Sequence, residues 1–358
     1  MARAVAAASG EGLRDMATER PSSSAARLMV QLQAALLGLL CFSGPAAPRV
    51  LPVLIGALGI TAAIHVFRTE PRRVVDLVRT PIGIVLGLFI AYLFVNASWA
   101  PSPGDAYTKA AGTLGLAAAA FLIAASFSLR DEGIAKTLAK AALVGFLVGL
   151  GFLAIELAFD EPIKRFITNH IVQLFDVSTK KAKIVNGEVT GIAAFVLNRN
   201  AVSLVLLLIP GMLFARAIET GSTRNLTVAV LVLAGASCIL ASKSGTSVVA
   251  LFLGAAVFAA SALSLKVVRV LLMAAWTVVI LFAVPLSALP YDLGWNRWTF
   301  LPPQSVAARF YIWKHMAGAV SAHPIGGIGI RGARELNVRL PADSRTLGEA
   351  EPTPDGRK

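Results

Sequence analysis

The segment from Ser305 to Gly329 holds the residues of this chain best suited to chemistry, because Arg, Trp and His side chains lie close together after a long series of apolar runs. Arg309 and Trp313 are four residues apart, which places them on one face of a helix. The pattern predicts a helix from about 305 to 321, ended by His323-Pro324. Arg309 can then point toward a polar cavity while Trp313 lies at a membrane interface. An ordinary amphipathic interfacial helix is the alternative interpretation.

A second cation, Lys243, lies in a short turn between two apolar runs and is flanked by serine, threonine and glycine. Ser244 precedes the next predicted helix, and a helix N-terminus presents unpaired N–H groups and the positive end of a dipole. A cation beside hydroxyl groups at this position predicts a binding corner for an anion. The alternative is a lysine that extends to the membrane surface while the hydroxyl groups cap the helix.

A third cation, Arg199, lies near the start of an apolar run and is flanked by Asn198 and Asn200. A charge inside a span costs about 2.5–3.5 kcal/mol on insertion scales, so such a residue either extends to the interface or faces a polar cavity. An interfacial anchor needs only the arginine. Three adjacent hydrogen-bonding side chains therefore favour the cavity.

Other reactive residues form no recognisable site. His323 is followed by proline and glycines, which is more typical of a structural turn than of a general base. The run from Gly327 to Gly332 fits G-x-G-x-x-G, but no strand of a βαβ unit precedes it. Cys41 and Cys238 lie within apolar runs, and no cluster of His, Cys or carboxylate residues has metal-ligand spacing. The sequence therefore predicts neither a metal nor a cofactor.

The composition is that of an integral membrane protein. Of the 358 residues, 56% are hydrophobic and only 15% are charged, whereas soluble domains have roughly 25% charged residues; the mean hydropathy is +0.72. The net charge of +13 is distributed over short segments between apolar runs. Such positive loops orient membrane proteins, and nucleic-acid binding would instead need one basic face.

About nine segments are long and apolar enough to cross a membrane, since a helix needs about 20 residues to span ~30 Å of hydrocarbon. The predicted spans are about 28–43, 50–67, 81–97, 110–127, 137–159, 192–215, 226–242, 245–263 and 268–288. The predicted fold class is therefore all-α, a polytopic transmembrane helix bundle. Every backbone polar group in a span must be satisfied internally, which only helices achieve in this pattern.

The orientation follows from the basic residues, which are concentrated in the N-terminal tail and in every second loop. The prediction is a disordered cytoplasmic tail at 1–27, a transmembrane bundle at 28–288 and an extracytoplasmic loop at 289–358. The loop at 160–190 also faces outward, although it is rich in lysine, and its apolar residues predict a short interfacial helix over about 161–175. The polar residues after 330 reach no further apolar run, so we expect a truncated chain.

Three features together resemble the bacterial O-antigen ligase and O-antigen polymerase family. They are the many spans, the Asn-Arg-Asn element at 198–200 with the serine-flanked lysine at 242–244, and an arginine four residues before a tryptophan followed by HP-x-GG-x-G. The last element is the most specific and comprises Arg309, Trp313, His323, Pro324, Gly326, Gly327 and Gly329. The resemblance covers most of the chain from about residue 80 onward.

Members of that family act at the outer face of the inner membrane and transfer a glycan from an undecaprenyl-diphosphate carrier to an acceptor hydroxyl. The acceptor is lipid A core for ligases and another glycan for polymerases. The resemblance implies that the diphosphate is bound by three cations, with four supporting residues. The cations are Arg309, Lys243 and Arg199, and the supporting residues are Asn198, Asn200, Ser244 and Trp313.

The chain departs from the family pattern at two points. Lys243 stands where the family often has arginine, which keeps the charge but loses paired hydrogen bonds to phosphate oxygens. The family's catalytic histidine lies later in the large loop, and residues 330–358 contain no histidine. The catalytic residue is therefore unknown, and a fragment that lacks it would be inactive.

The sequence leaves the choice between ligase and polymerase open, because the same carrier chemistry serves both. A polytopic transporter or flippase is the competing class, for which internal repeats and interrupted spans are typical. Glu156 and Pro210 are the interior irregularities, and the two halves of the chain show no convincing symmetry. A noncatalytic membrane scaffold would leave the outward cations unexplained.

Overall fold

The computed structural model describes residues 24–159, 161–170, 182–185, 188–192, 195–218, 221–242, 244–295, 305–324, 326–330 and 332. Within them the chain is almost entirely helical, which confirms the all-α class. The helices are α1 Ser24–Ala46, α2 Leu51–Thr69, α3 Arg72–Val78, α4 Pro81–Ala97, α5 Pro103–Ser128, α6 Glu132–Ala158, α7 Pro162–His170, α8 Phe195–Ile218, α9 Gly221–Ala241, α10 Gly245–Leu263, α11 Leu265–Leu281, α12 Ala283–Asp292 and α13 Ser305–Ala322.

The helices make this a multi-pass membrane protein. Among the described residues, seven helices are long and apolar enough to span a membrane, namely α1, α2 with the turn before it, α5, α6, α8, α9 and α10. The number rises to nine if each of two bent pairs is one span. These pairs are α3 with α4, bent by 78°, and α11 with α12, bent by 77°. The predicted number of about nine spans agrees with this upper value.

The bend between α3 and α4 has a local cause in the sequence. Thr80 adopts an extended conformation, and its hydroxyl accepts a hydrogen bond from the Gly83 N–H at 3.2 Å. Pro81 then occupies the first position of α4, where its missing N–H costs nothing. A threonine cap followed by proline starts a new helix, so α3 cannot continue straight into α4.

The predicted loop at 160–190 contains more regular structure than expected. Its predicted interfacial helix is present as α7 up to His170, and the rest of that prediction lies outside the described residues. Two short antiparallel strands follow, β1 Ala182–Val185 and β2 Glu188–Ile192, with Val185 opposite Glu188. The available signal was the Asn-Gly pair at 186–187 between two short runs that contain β-branched residues, which is typical of a hairpin.

The chain forms two compact units. The first comprises Met1–Leu77 and Ala118–Leu253, and the second comprises Val78–Ala117 and Gly254–Lys358. In the first unit α1, α6, α8 and α9 share an apolar core in which Phe146, Leu204 and Ile239 are buried.

Small residues bring the backbones of α1 and α6 into direct contact in the first unit. A Cβ added at Gly145 would lie 2.0 Å from the Gly38 carbonyl oxygen, and one at Gly149 would lie 2.7 Å from the Phe42 carbonyl oxygen. Glycine and alanine at such spacing permit close helix packing in membranes, where dispersion contacts replace the hydrophobic effect. The α1–α6 pair is thus the tightest part of this core.

Glu156 is one of the two irregularities that the sequence shows within spans, and a hydrogen bond accounts for it. It lies in the last turn of α6, and its carboxylate oxygen Oε1 accepts a hydrogen bond from the Ile163 N–H at 2.9 Å. That N–H belongs to the first turn of α7, where backbone donors have no partner within the helix. Glu156 therefore joins α6 to α7, away from the middle of its span.

Candidate functional site

The turn before α10 contains the buried hydroxyl groups that the sequence predicts around Lys243. Ser244 and Ser247 are buried, and their hydroxyl oxygens are 2.8 Å apart. The Ser242 hydroxyl donates to the Ile239 carbonyl at 2.7 Å. The Ser242 hydroxyl therefore bonds to the end of α9, and the Ser244 hydroxyl bonds to Ser247 in the first turn of α10. Lys243 lies outside the described residues, so its anion-binding role stays a prediction.

Asn200 joins two helices of the first unit. Its side chain is buried, and the amide nitrogen donates to the carbonyl oxygens of Pro45 at 2.6 Å and Ala46 at 3.0 Å. These carbonyls end α1, where the last four have no partner within the helix. Asn200 thus attaches α8 to the end of α1. Asn198 and Arg199 lie in the first turns of α8, and the roles of their side chains stay predictions.

Helix α13 agrees with the helix predicted over 305–321. Arg309 is exposed, and Trp313, one turn later, is 45% exposed. Phe310 and Ala317 are buried on another face. The Phe310 ring lies 5.7 Å from that of Trp313 and 6.4 Å from that of Trp295, centroid to centroid. The apolar face of α13 is therefore packed, while its arginine is exposed.

A polar contact also joins α13 to α12 within the second unit. Lys314 Nζ lies 2.5 Å from Asp292 Oδ1 and 4.7 Å from the centroid of the Tyr291 ring. The hydrogen bond to Asp292 raises the pKa of Lys314, so this lysine is charged at neutral pH. Tyr311 packs edge-on against Tyr291 at 5.8 Å, and His315 stacks on Tyr311. The middle of α13 is thus attached to α12.

The glycine-rich segment after α13 forms the turn that the sequence predicts. The His323 N–H donates to the Val320 carbonyl at 3.1 Å, and the His323 carbonyl accepts from the Gly327 N–H at 2.9 Å. Gly327 and Gly329 have positive φ angles of 63° and 80°. Residues other than glycine rarely adopt such angles, which accounts for glycine at both positions.

This turn is attached to the connection between α4 and α5 in the same unit. Asn96 Nδ2 donates to the Gly326 carbonyl at 2.7 Å, and Trp99 Nε1 donates to the same oxygen at 3.0 Å. We call Asn96, Trp99 and the Gly326 carbonyl the Gly326 clamp. Beside it, Ile330 packs on a small apolar cluster that includes Ala100.

The predicted site residues fall into both units. Arg199, Asn200 and Ser244 belong to the first unit, whereas Arg309 and Trp313 belong to the second. Their convergence on one diphosphate stays a prediction. Within the parts of the chain that the structure covers, no three His, Cys, Asp or Glu residues are placed to hold a metal ion.

Sequence reasoning missed the two clamp residues. Asn96 and Trp99 stand in a predicted outward loop, and an Asn with a Trp in such a loop was the only available signal. Their partner Gly326 is more than 200 residues away in the chain, and no local pattern predicts such a pairing.

The comparison with protein families finds a match in the C-terminal third of the chain. Residues 229–353 match the family model described as O-antigen ligase. The matched range contains α10 to α13 with Lys243, Arg309 and the clamped glycine turn. No curated protein and no solved structure matches the chain. The match agrees with the resemblance seen in the sequence, and residues 229–353 are similar to the O-antigen ligase family.

Proposed function

We propose that this protein transfers a glycan from an undecaprenyl-diphosphate carrier to a hydroxyl group of lipid A core. The family match at 229–353 carries the proposal, because O-antigen ligases in general use lipid-linked glycans and lipid A core. In the reaction, the bond between the sugar carbon and the diphosphate oxygen breaks and a bond to the acceptor oxygen forms. The acceptor loses its proton to a base, and undecaprenyl diphosphate leaves.

The leaving diphosphate gains negative charge in the transition state, and preorganised cations stabilise such charge. Arg309, Lys243 and Arg199 are the proposed cations, and Asn198, Asn200, Ser244 and Trp313 are the proposed supporting residues. Exposed Arg309 on the packed helix α13 supports this assignment, since a rigid element holds a charged group in place with little freedom. The general base stays unassigned.

The proposed location is the bacterial inner membrane, with the N-terminal tail in the cytoplasm and the residues after about 288 in the periplasm. The distribution of basic residues between alternating loops supports this orientation. In that arrangement Arg309 and the glycine turn face the compartment in which carrier-linked glycans are joined to lipid A core.

The experiment replaces Arg309 in the full-length protein and measures glycan attachment on a gel of extracted lipopolysaccharide. Loss of one electrostatic contact to developing charge typically lowers kcat about 10²–10³-fold, so Arg309→Ala should abolish most attachment. Arg269→Ala is the matched control, because Arg269 is an exposed arginine of the same matched segment on α11. Lys243→Ala, with Lys266→Ala as its control, tests the second cation.

Unchanged attachment in Arg309→Ala, at equal protein level, would refute diphosphate binding by this residue. The same gel separates ligase from polymerase. Loss of a ligase leaves long glycans on the lipid carrier and bare lipid A core, whereas loss of a polymerase leaves single repeat units attached to the core.

A further inference from the structure

We propose that Asn96 and Trp99 are positioning residues for glycan transfer, which hold α13 and its Arg309 in the orientation that the reaction needs. They act through the Gly326 clamp and touch no substrate. The proposal rests on the proposed function, in which Arg309 binds the diphosphate.

The clamp concentrates two donors on one backbone atom. Asn96 Nδ2 and Trp99 Nε1 lie 2.7 Å and 3.0 Å from the Gly326 carbonyl oxygen, which uses both of its acceptor positions. Asn96 is only 6% exposed, so its amide would lose a hydrogen-bond partner if the turn moved away. The pairing therefore favours one position of the turn over others.

The shape of the turn fits the same connection closely. A Cβ added at Gly329 would lie 2.4 Å from the Ala100 Cα, which is closer than real Cβ contacts allow. A Cβ at Gly326 would meet the Trp99 ring at 3.5 Å, an ordinary contact distance. Gly329 is thus required by contact as well as by its φ of 80°, and the turn lies directly against the α4–α5 connection.

The clamp holds the end of α13, and the contacts of Tyr311 and Lys314 with α12 hold its middle. At ~1.5 Å per residue, the end of α13 at Ala322 lies about 14 Å beyond the contacts with α12, and Arg309 lies about 5 Å to their other side. A helix released from the clamp can pivot about the contacts with α12. A movement of about 3 Å at the released end would then displace Arg309 by about 1 Å, and a misplacement of this size can cost about 100-fold in rate.

The first test removes the donors without removing bulk. Asn96→Asp keeps the size of the side chain but replaces the amide donor with an oxygen that repels the Gly326 carbonyl, and Trp99→Phe keeps an aromatic ring but has no N–H. Ser98→Ala is the matched control, because the Ser98 hydroxyl donates to the nearby Val95 carbonyl and takes no part in the clamp. In proteoliposomes with lipid-linked donor and lipid A core, we expect kcat to fall roughly tenfold in both clamp variants, with little change in KM.

The second test is a double-mutant cycle with Arg309. If the clamp acts by placing Arg309, then Asn96→Asp should cost little further activity in the Arg309→Ala background. A merely structural role would lower the activity of both backgrounds by the same factor. Additive losses would therefore overturn the positioning role.

The third test measures the clamp without activity. The chain has two cysteines, both buried, so the thiol of Ile330→Cys can be labelled selectively with a polar maleimide. Asn96→Asp and Trp99→Phe should each speed this labelling severalfold, whereas Ser98→Ala should not. Equal labelling rates in all variants would show that these bonds do not hold the turn.

The results separate the two proposals. Faster labelling with an unchanged kcat would overturn the positioning role while leaving diphosphate binding intact. If Arg309→Ala alone retains full activity, the proposed function fails and the positioning role fails with it, whatever the labelling shows.

Discussion

Asn200 illustrates how a polar residue within an apolar helix serves structure. Its amide donates to the carbonyls of Pro45 and Ala46, which end α1 and have no other partner in that helix. Asn200→Ala should lower the free energy of unfolding by about 1–3 kcal/mol, because two buried carbonyls lose their donor. The thermal unfolding midpoint in detergent measures the effect. Asn225→Ala, at an exposed position on α9, should leave the midpoint unchanged; equal shifts in both variants would contradict this role.

For single residues, the sequence predicts the position of a side chain where the signal lies within one helix. The exposure of Arg309 and Trp313 follows from their spacing of four residues on a helix, because such spacing sets the shared face. The partners of Asn96 and Asn200 depend on which helix ends meet, and no spacing within either helix encodes that.

At the scale of elements, the packing of α1 on α6 depends on glycines at the contact. A Cβ at Gly145 would lie 2.0 Å from the Gly38 carbonyl oxygen, so Gly145→Ala must push the two helices apart. We expect a loss of at least about 1–3 kcal/mol of unfolding free energy, which is typical of an overpacked core. Gly151→Ala on the same helix is the control, since a Cβ there meets no atom within 4 Å.

The control variant replaces a glycine within a helix with alanine. This change should leave the free energy of unfolding unchanged or raise it by up to about 1 kcal/mol. Thermal unfolding of the purified protein compares both variants with the parent chain. A Gly145→Ala variant as stable as Gly151→Ala would refute the close approach of α1 and α6.

The positions of the helices were largely predictable, because each membrane-spanning helix coincides with an apolar run of similar length. The helix predicted over 245–263 is found as Gly245–Leu263, and the one predicted over 81–97 as Pro81–Ala97. The bends at Thr80 and Phe282 were not predicted, since an apolar run reads the same whether its helix is straight or broken. Their effect on the number of crossings appears only at the scale of the whole chain.

At the scale of the whole molecule, the Gly326 clamp restricts the membrane topology. Because Asn96 and Gly326 are in contact, the connection after α4 and the turn after α13 lie on the same side of the membrane. The chain must therefore cross the membrane an even number of times between them. Among the described residues, five intervening helices pass the length and composition test for a span, namely α5, α6, α8, α9 and α10. We therefore predict that the bent pair of α11 and α12 crosses the membrane and supplies a sixth crossing.

This topology predicts the labelling of single introduced cysteines in intact cells. Ser98 and Ser321 are exposed residues of the two segments that the clamp joins. A membrane-impermeant maleimide should label both Ser98→Cys and Ser321→Cys. Lys266→Cys, at the start of α11, should be labelled only after the membrane is permeabilised, because one crossing separates it from Ser321. Labelling of Lys266→Cys and Ser321→Cys from the same side would mean that the bent pair re-enters without crossing. The contact between Asn96 and Gly326 would then require one further crossing elsewhere in the chain.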